Sequence, residues 1–283
     1  MSWQSVRPPH PYDVASAMNA AVVIPIGSIN AVLRQQVDRV LGQAGASLVE
    51  VVLSVNSARQ EVASEVQSIV DSCNDERLRV VDSSDHKGAA HARNVGAAAV
   101  GTEVVAFCDA DDLVHDGWLA ALIDGLGKFD AVSGRVVDVF PEERMRNWYP
   151  PTTSGDLSTF LGRPYLLTGN LAIRRRVFEA VGGFDESLTR CEDIAISWSL
   201  VRAGYTIGYV DAAAIDYRHR SGLVAMLRQH YSYGRGMSEV LRAVGTPISK
   251  MLRPNRQRAG RRSIVGVLRR GAIAFGRVRG LAR

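Results

Sequence analysis

The chain has 283 residues, of which 46% are hydrophobic and 22% are charged, with 34 Lys and Arg against 29 Asp and Glu. This composition excludes a disordered chain, and the length allows one large α/β domain or two modest ones. The three cysteines, Cys73, Cys108 and Cys191, are odd in number and lack CxxC spacing, so they fit neither a disulfide framework nor a CxxC zinc site and favour a reducing compartment.

The charges are unevenly divided along the chain. From Val240 to the end there are twelve Lys and Arg and no Asp or Glu, which leaves 22 basic and 29 acidic side chains in the first 239 residues. The body is therefore acidic and the tail strongly basic. The longest uncharged run, 14–33, is interrupted by Pro25, Gly27 and polar residues. We therefore expect no membrane span, no export signal and a cytoplasmic protein.

Short apolar runs alternate with helical patterns in the first part of the chain. The pattern predicts strands at 21–26, 48–53, 78–81 and 103–108, and helices at 31–41, 58–70 and 89–100. This alternation is typical of a doubly wound, mostly parallel sheet, in which ligands bind at the carboxyl ends of the strands. Beyond residue 112 the pattern predicts helices at 118–126, 174–181 and 194–203, and strands at 131–139, 206–210 and 213–217.

Three carboxylates follow the fourth predicted strand, in the run Phe107-Cys-Asp-Ala-Asp-Asp112. They repel one another unless a positive charge lies among them. In an extended segment Asp109 and Asp111 lie on the same side, and two hard oxygen ligands at this edge of a sheet suit Mg²⁺ or Mn²⁺. The alternative is that Asp111 and Asp112 only cap the following helix.

Other motifs precede and follow these carboxylates. The run Lys87-Gly-Ala-Ala-His-Ala-Arg93-Asn-Val-Gly96 brings cations and a helix N-terminus to the same edge, as an anion site requires. Downstream there follow Leu167-Thr-Gly-Asn-Leu-Ala-Ile-Arg-Arg-Arg176, Val181-Gly-Gly-Phe-Asp185, Cys191-Glu-Asp193 and Arg218-His-Arg220.

Over roughly residues 20–220 the chain resembles the family-2 glycosyltransferases of the GT-A fold. The resemblance is carried by these motifs in this order: IP, KGAAHARNVG, FCDADD, TGNLAIRR, VGGFDESL, CEDIAISWSLVRAG and RHR. The resemblance implies an α/β fold with a GT-A-like, doubly wound, mostly parallel sheet. It implies a metal-dependent, inverting transfer of a sugar from a nucleoside-diphosphate donor to an acceptor hydroxyl, in cell-surface polysaccharide or glycolipid synthesis. The corresponding division is an N-terminal extension (1–19), a nucleotide-sugar half (20–112), an acceptor half (113–220) and a helical basic tail (221–283).

The resemblance also implies a role for individual residues. Asp109, Asp111 and His219 match the ligands of Mn²⁺ or Mg²⁺. Asp193 matches the general base, with Glu192 as the alternative base, and we expect the dipole of the following helix to keep the pKa of Asp193 low. The positions that match donor-binding residues are Pro25, Asn56, Lys87, Arg93, Asp109, Ala110, Gly169 and Asn170.

The chain departs from the family pattern in two places. Ile26-Gly-Ser28 stands where the family has a polar run, and Val55 and Asn56 stand where it carries paired aspartates that grip the nucleoside. The nucleotide base of the donor is therefore left open. A non-catalytic or weakly active nucleotide-sugar-binding protein is one alternative. A sugar-phosphate nucleotidyltransferase is another, although only Gly27 stands where its Gly-rich loop would be. The acidic body does not favour nucleic acid as a partner.

The tail carries an apolar pattern at helical spacing. Within 263–283 the apolar positions are Ile264, Val267, Leu268, Gly271, Ala272, Phe275 and Val278, and Arg262, Arg269, Arg270, Arg277 and Arg279 fall mostly beside and behind them. Such a helix can bind an anionic membrane, which predicts a lipid-linked acceptor and a position at the inner face of the plasma membrane. The alternatives are a helix docked on the acidic body and a disordered basic end, because Gly266, Gly271 and Gly276 lower helix propensity.

Overall fold

The structure is a computed structural model that describes residues 18–44, 47–149, 155–245 and 264–281. Its strands are β1 (Ala20–Ile26), β2 (Leu48–Val55), β3 (Leu78–Asp82), β4 (Val104–Cys108), β5 (Leu113–Val114), β6 (Ala131–Val139), β7 (Ser158–Phe160), β8 (Arg163–Tyr165), β9 (Asn170–Arg174) and β10 (Ile207–Arg218). Its helices are α1 (Leu33–Leu41), α2 (Gln60–Cys73), α3 (Ala89–Ala98), α4 (Trp118–Gly125), α5 (Arg175–Ala180), α6 (Glu192–Arg202), α7 (Leu223–Ala243) and α8 (Ile264–Leu281), with a 3₁₀ helix at Glu143–Trp148.

Eight of these strands form one mixed sheet in the order β3-β2-β1-β4-β9-β6-β10-β5. Strands β3, β2, β1 and β4 are parallel neighbours, and β6 is parallel to β10. Strand β9 runs antiparallel between β4 and β6, and β5 runs antiparallel to β10. The predicted α/β fold with a mostly parallel sheet and a helical C-terminal region is therefore confirmed.

Five strands differ from the sequence prediction, since β10 differs in its extent and β5, β7, β8 and β9 were not predicted. Residues 206–210 and 213–217 were expected to form separate strands, but β10 is continuous, and its pairing with β6 shifts register between Val210 and Ala214. Strand β9 was not predicted, because its five residues NLAIR are followed directly by α5 and are too few to show a periodicity.

Both faces of the sheet are covered by helices. Along β1, Val22 and Ile24 belong to the apolar cluster formed with α1, α2 and α4, while Ala21 and Val23 belong to the cluster formed with α3, α5 and α6. All four are fully buried, as expected for a central parallel strand. This rigid centre fixes the loops at the carboxyl ends of β1 and β4.

The two C-terminal helices pack with their backbones in contact. A Cβ added to Gly276 would collide with the carbonyl oxygen of Tyr231, and one added to Gly234 would collide with that of Ile273. The glycines that weaken α8 as an isolated helix therefore permit its pairing with α7. Residues 263, 282 and 283 of the predicted tail helix lie outside the described residues. Of the helices in the described ranges, none has both the length and the apolar composition that a bilayer span requires.

Candidate active site

A cleft of about 590 Å³ opens at the carboxyl ends of β1, β2 and β4. It brings together residues from distant parts of the chain because parallel strands end at the same edge of the sheet. The candidate site residues that line it are Pro25, Asn56, Arg93, Asp109, Ala110, Asp111, Gly169, Glu192 and Asp193. Lys87, Asn170 and His219 do not line it.

Three carboxylates form an acidic cluster directly after β4. Oxygen atoms of Asp109, Asp111 and Asp112 lie within 4.8 Å of one another. Desolvation and the charge of Asp109 raise the pKa of both Asp111 and Asp112. Ionising all three together is therefore unfavourable unless a positive charge compensates them, and hard oxygen donors at this spacing fit a divalent cation such as Mg²⁺ or Mn²⁺.

The sequence analysis counted Asp112 among the three carboxylates but did not expect it to be a metal ligand, and the structure places it in this cluster. Its side chain is buried, and its Oδ1 accepts a hydrogen bond from the backbone N–H of Arg218 at 3.0 Å. The cluster is thereby tied to the end of β10. The three acidic residues in one short run were the available signal, but the direction of Asp112 depends on a strand that is distant in sequence.

The structure does not bring His219 into the acidic cluster. Its Nε2 lies 2.8 Å from Asp138 Oδ1, and its ring stacks on Phe140 with the centroids 4.4 Å apart. Tyr149 and Tyr217 contact the other sides of the imidazole. Aromatic packing therefore holds His219 beside the cleft, and among the described residues Asp112 is the third member of the potential ligand group.

Arg93 joins the two acidic motifs of the cleft. Its guanidinium donates to Asp109 Oδ1 at 2.6 Å and to Glu192 Oε1 at 2.7 Å, and the residue is only 3% exposed. Burial alone would lower the pKa of Arg93, but the two carboxylates outweigh that effect and raise it. The end of β4 and the first turn of α6 thus share one buried cation, which also explains how Glu192 tolerates partial burial.

Asp193 lies in the cleft at the beginning of α6. Its Oδ1 accepts a hydrogen bond from the backbone N–H of Ile194 at 2.8 Å. Desolvation, followed by the charge of Glu192, raises the pKa of Asp193 to about 7. The expectation that the helix dipole keeps this pKa low is wrong, because burial outweighs the dipole. A carboxylate with this pKa is suited to accept a proton near neutral pH.

Asn56 organises the loop between β3 and α3. Its Oδ1 accepts from the backbone N–H of Gly88 at 2.8 Å, and its Nδ2 donates to the carbonyl of His86 at 2.8 Å and to that of Ser83. An ionised aspartate could make the first of these bonds but could not donate the other two. The loop therefore accounts for an amide at this position, and it carries the exposed Lys87 outside the cleft lining.

Gly169 and Asn170 are adjacent but occupy different environments. Gly169 lies against the acidic cluster, since an added Cβ would come within 2.8 Å of Asp109 Oδ2. Asn170 is fully buried behind the cleft. Its Oδ1 accepts from Trp118 Nε1 at 2.8 Å and its Nδ2 donates to the carbonyl of Ala213 at 2.9 Å. The Asn170 side chain thus connects β9 to α4 and β10.

Helix α7, which the sequence analysis assigned to the tail, forms part of the cleft wall. Tyr233 and Met237 from this helix line the cleft together with Tyr217 from β10. Gln229 Nε2 donates to the hydroxyls of Tyr217 at 3.1 Å and Tyr233 at 2.9 Å, which fixes the two rings. The sequence held no signal for this contact, because it depends on how α7 packs on the domain.

The comparisons with known proteins agree with this architecture. The model of "Glycosyl transferase family 2" matches residues 21–182, and that of "Glycosyl transferase family group 2" matches residues 104–276. The chain therefore belongs to glycosyl transferase family 2.

Two curated relatives illustrate the extent of the similarity. Pre-mycofactocin glycosyltransferase of Mycobacterium tuberculosis is 31% identical over 173 residues, which are 56% of this chain and 36% of that protein. Glycosyltransferase AglE of Haloferax volcanii is 24% identical over 225 residues, which are 78% of this chain and 73% of that protein. The chain thus spans about a third of the length of the first relative.

Two solved structures share the fold. The mannosyltransferase PcManGT from Pyrobaculum calidifontis, in complex with GDP-Man and Mn²⁺, superposes with a TM-score of 0.61 at 17% identity, over 96% of this chain and 78% of that chain. GalNAc-T7, solved with UDP, GalNAc and Mn²⁺, gives a TM-score of 0.60 at 16% identity, over 79% of this chain and 52% of that chain. The GT-A architecture expected from the sequence is thereby confirmed.

Proposed function

We propose that this protein transfers a sugar, with inversion at the anomeric carbon, from a nucleoside-diphosphate donor to an acceptor hydroxyl in a metal-dependent reaction. The observation that carries this proposal is that the acidic cluster after β4 and the raised-pKa carboxylate of Asp193 line the same cleft. The GDP-Man and Mn²⁺ named with PcManGT, and the UDP, GalNAc and Mn²⁺ named with GalNAc-T7, support the donor class.

Asp109 and Asp111 would hold the Mn²⁺ or Mg²⁺ ion, and Asp112 is the third ligand candidate in place of His219. When bound, the cation would stabilise the negative charge that develops on the departing nucleoside diphosphate. Arg220 lines the cleft, and its charge partly opposes the rise in the pKa of Asp111, which supports a role for this arginine in binding the diphosphate. The chain therefore offers both an acidic cluster for the metal and an arginine for the anion.

Asp193 would act as the general base. As the acceptor oxygen bonds to the anomeric carbon, the bond to the diphosphate breaks and the acceptor proton passes to the Asp193 carboxylate. Glu192 remains the alternative base, but its Oε1 accepts a 2.7 Å charge-assisted hydrogen bond from Arg93, so this oxygen already has a partner. A single displacement of this kind inverts the anomeric configuration.

Donor binding is proposed for the residues at the carboxyl ends of the strands. Pro25, Asn56, Asp109, Ala110 and Gly169 line the cleft directly. Three further candidates would act differently: Arg93 through the carboxylates that it positions, Lys87 through the loop held by Asn56, and Asn170 through its backbone and the packing of β9.

The acceptor is proposed to be a carbohydrate, or a lipid-linked carbohydrate, used in cell-surface polysaccharide or glycolipid assembly at the inner face of the plasma membrane. One relative is named as a succinoglycan biosynthesis protein and another as an O-antigen chain rhamnosyltransferase. The basic tail, with twelve Lys and Arg and no acidic residue after Val240, supports an anionic surface as the setting.

The test is to incubate the full chain with a panel of UDP-, GDP- and dTDP-sugars and Mn²⁺, and to measure the released nucleoside diphosphate. We expect release with at least one donor, loss of release in EDTA, and a product of inverted anomeric configuration by NMR. Donor binding without release for the whole panel would instead support the non-catalytic binder. Pyrophosphate formation from a nucleoside triphosphate and a sugar phosphate would support the nucleotidyltransferase.

A further inference from the structure

Helix α8 has two faces of different character. Its buried residues, Gly266, Gly276, Arg277 and Gly280, face α7. The opposite side is an apolar band that we call the α8 stripe, made of Ile264, Val267, Leu268, Gly271, Ala274, Phe275 and Val278. The five large members of the stripe are between 46% and 82% exposed. The helix therefore uses its small residues for internal packing and leaves its large apolar side chains outside.

Large apolar side chains with this degree of exposure are rare elsewhere in the described part of the chain. Only Val49 and Val224 are comparably exposed large apolar residues elsewhere in the described part of the chain. A contiguous apolar band on an otherwise polar surface marks an interaction site. The docking of α8 on the body, which was one alternative for the tail, does not account for the stripe, because that contact is made by the glycine face.

The charges around the stripe are all positive. Arg270 and Arg279 are exposed and, at 100° per residue, lie on opposite sides of the stripe. Within Ile264–Leu281 there are four arginines and no acidic residue. Pairing of two copies through this face would bring arginines together without acidic partners, whereas an anionic lipid surface complements both the apolar band and its basic edges.

We infer that the α8 stripe is a membrane-docking face, with α8 lying parallel to an anionic lipid surface and the stripe inserted at the headgroup level. Arg270 and Arg279 reach the lipid phosphates from the two sides of the helix, as in interfacial basic helices. This inference rests on the proposed membrane setting of the acceptor and assigns to it a specific surface and orientation.

The orientation has a consequence for the acceptor, because α7 stands between α8 and the cleft. Gly234 of α7 packs on α8, while Tyr233 and Met237 of the same helix line the cleft. The lipid surface therefore lies about one to two helix diameters, roughly 10–20 Å, from the cleft wall. This distance is short enough for a hydroxyl carried on an extended headgroup to reach the cleft while its lipid stays in the bilayer.

The experiment is flotation of the full-length protein with vesicles of phosphatidylcholine alone or mixed with phosphatidylglycerol. We expect binding to the anionic vesicles that weakens with salt, and little binding to the neutral ones. Val267→Asp and Phe275→Asp should each reduce the partition coefficient at least tenfold. Arg270→Gln and Arg279→Gln should each reduce it about fivefold on anionic vesicles.

The matched control is Val49→Asp, which makes the same change in charge at a valine that is 51% exposed on β2. It should bind vesicles like the unaltered chain, and circular dichroism should report the same fold for all variants. Equal binding of Val267→Asp and the control would overturn the assignment of this face. If the protein self-associates in solution and Phe275→Asp abolishes this association, the α8 stripe binds a second copy of the chain, and the membrane assignment is overturned.

Failure of this inference is distinguishable from failure of the proposed function. None of the substituted residues lines the cleft, so release of nucleoside diphosphate from a donor in solution should be the same in all variants. Vesicle binding by a chain that releases no nucleoside diphosphate would refute the enzyme but not the docking face. Normal release without vesicle binding would refute the docking face alone.

Discussion

Gly169 lies so close to Asp109 that a methyl group on the glycine would come within 2.8 Å of the Asp109 Oδ2 atom. The glycine contacts one side of the carboxylate, and the 2.6 Å hydrogen bond from Arg93 holds the other oxygen. The position of Asp109 is therefore set by its neighbours before any ligand arrives.

Replacing this glycine tests that relationship. Gly169→Ala should displace the Asp109 carboxylate and weaken binding of the donor with Mn²⁺ by about tenfold, the effect of roughly 1.4 kcal/mol. Isothermal titration calorimetry would measure the change. Gly101→Ala is the matched control, because nothing lies within 4 Å of a Cβ added there. Equal donor affinity in both variants would show that the contact is unimportant.

Metal binding should be visible as a change in thermal stability. A cation that binds only the folded cluster stabilises the protein by mass action, so Mn²⁺ should raise the Tm of the unaltered chain. Asp111→Asn removes one ligand and should abolish most of that rise. Asp116→Asn, at an exposed aspartate outside the cleft lining, is the control and should respond like the unaltered chain. A Tm that is insensitive to Mn²⁺ would contradict the proposed metal site.

The proposed general base, Asp193, should make kcat depend on pH in a recognisable way. Because the pKa of Asp193 is raised to about 7, the reactive carboxylate form is gained as pH rises through that value, and kcat should increase there rather than near pH 4. Asp193→Asn should lower kcat by roughly 10²–10⁴ and leave donor binding nearly unchanged. Glu192→Gln is the informative comparison. If Glu192→Gln loses turnover and Asp193→Asn retains it, the two roles are reversed.

His91 should make stability depend on pH. Its ring nitrogens lie 2.7 Å from Glu186 Oε2 and 2.8 Å from Asp85 Oδ1. Burial lowers the pKa of His91, but these two carboxylates outweigh it, so the folded pKa is raised above the unfolded value. The stabilisation is therefore complete below the unfolded pKa and is lost as pH rises through the folded pKa.

The corresponding variant is His91→Gln. The Tm difference between the unaltered chain and this variant should be largest near about pH 6 and should shrink by about pH 9. Differential scanning calorimetry across that range is the measurement. His115→Gln provides a more exposed comparison, since the His115 ring pairs with a single carboxylate, that of Asp216, among the described residues. A Tm difference that is constant with pH would mean that His91 acts only through packing.

Local patterns in the sequence predicted most of the sheet and the acidic run at the end of β4. The apolar run of β4 and the acidic residues that follow it are contiguous, so Asp109 and Asp111 could be placed at the carboxyl edge without coordinates. The outcome for His219 could not be foreseen in this way, because its ring direction depends on contacts with Phe140 and Tyr149. Burial of Asn170 likewise depends on Trp118, which lies 52 residues away.

The reversed direction of β9 has a consequence for how the molecule can be divided. Cys108 at the end of β4 pairs with Asn170 at the start of β9, so the chain returns from the second half of the sequence to complete the centre of the sheet. A fragment that ends at residue 112 would leave β4, whose residues are all buried here, as an open apolar edge prone to aggregation. The folding unit is therefore larger than the predicted nucleotide-sugar half, and the cleft can form only after β9 has been synthesised.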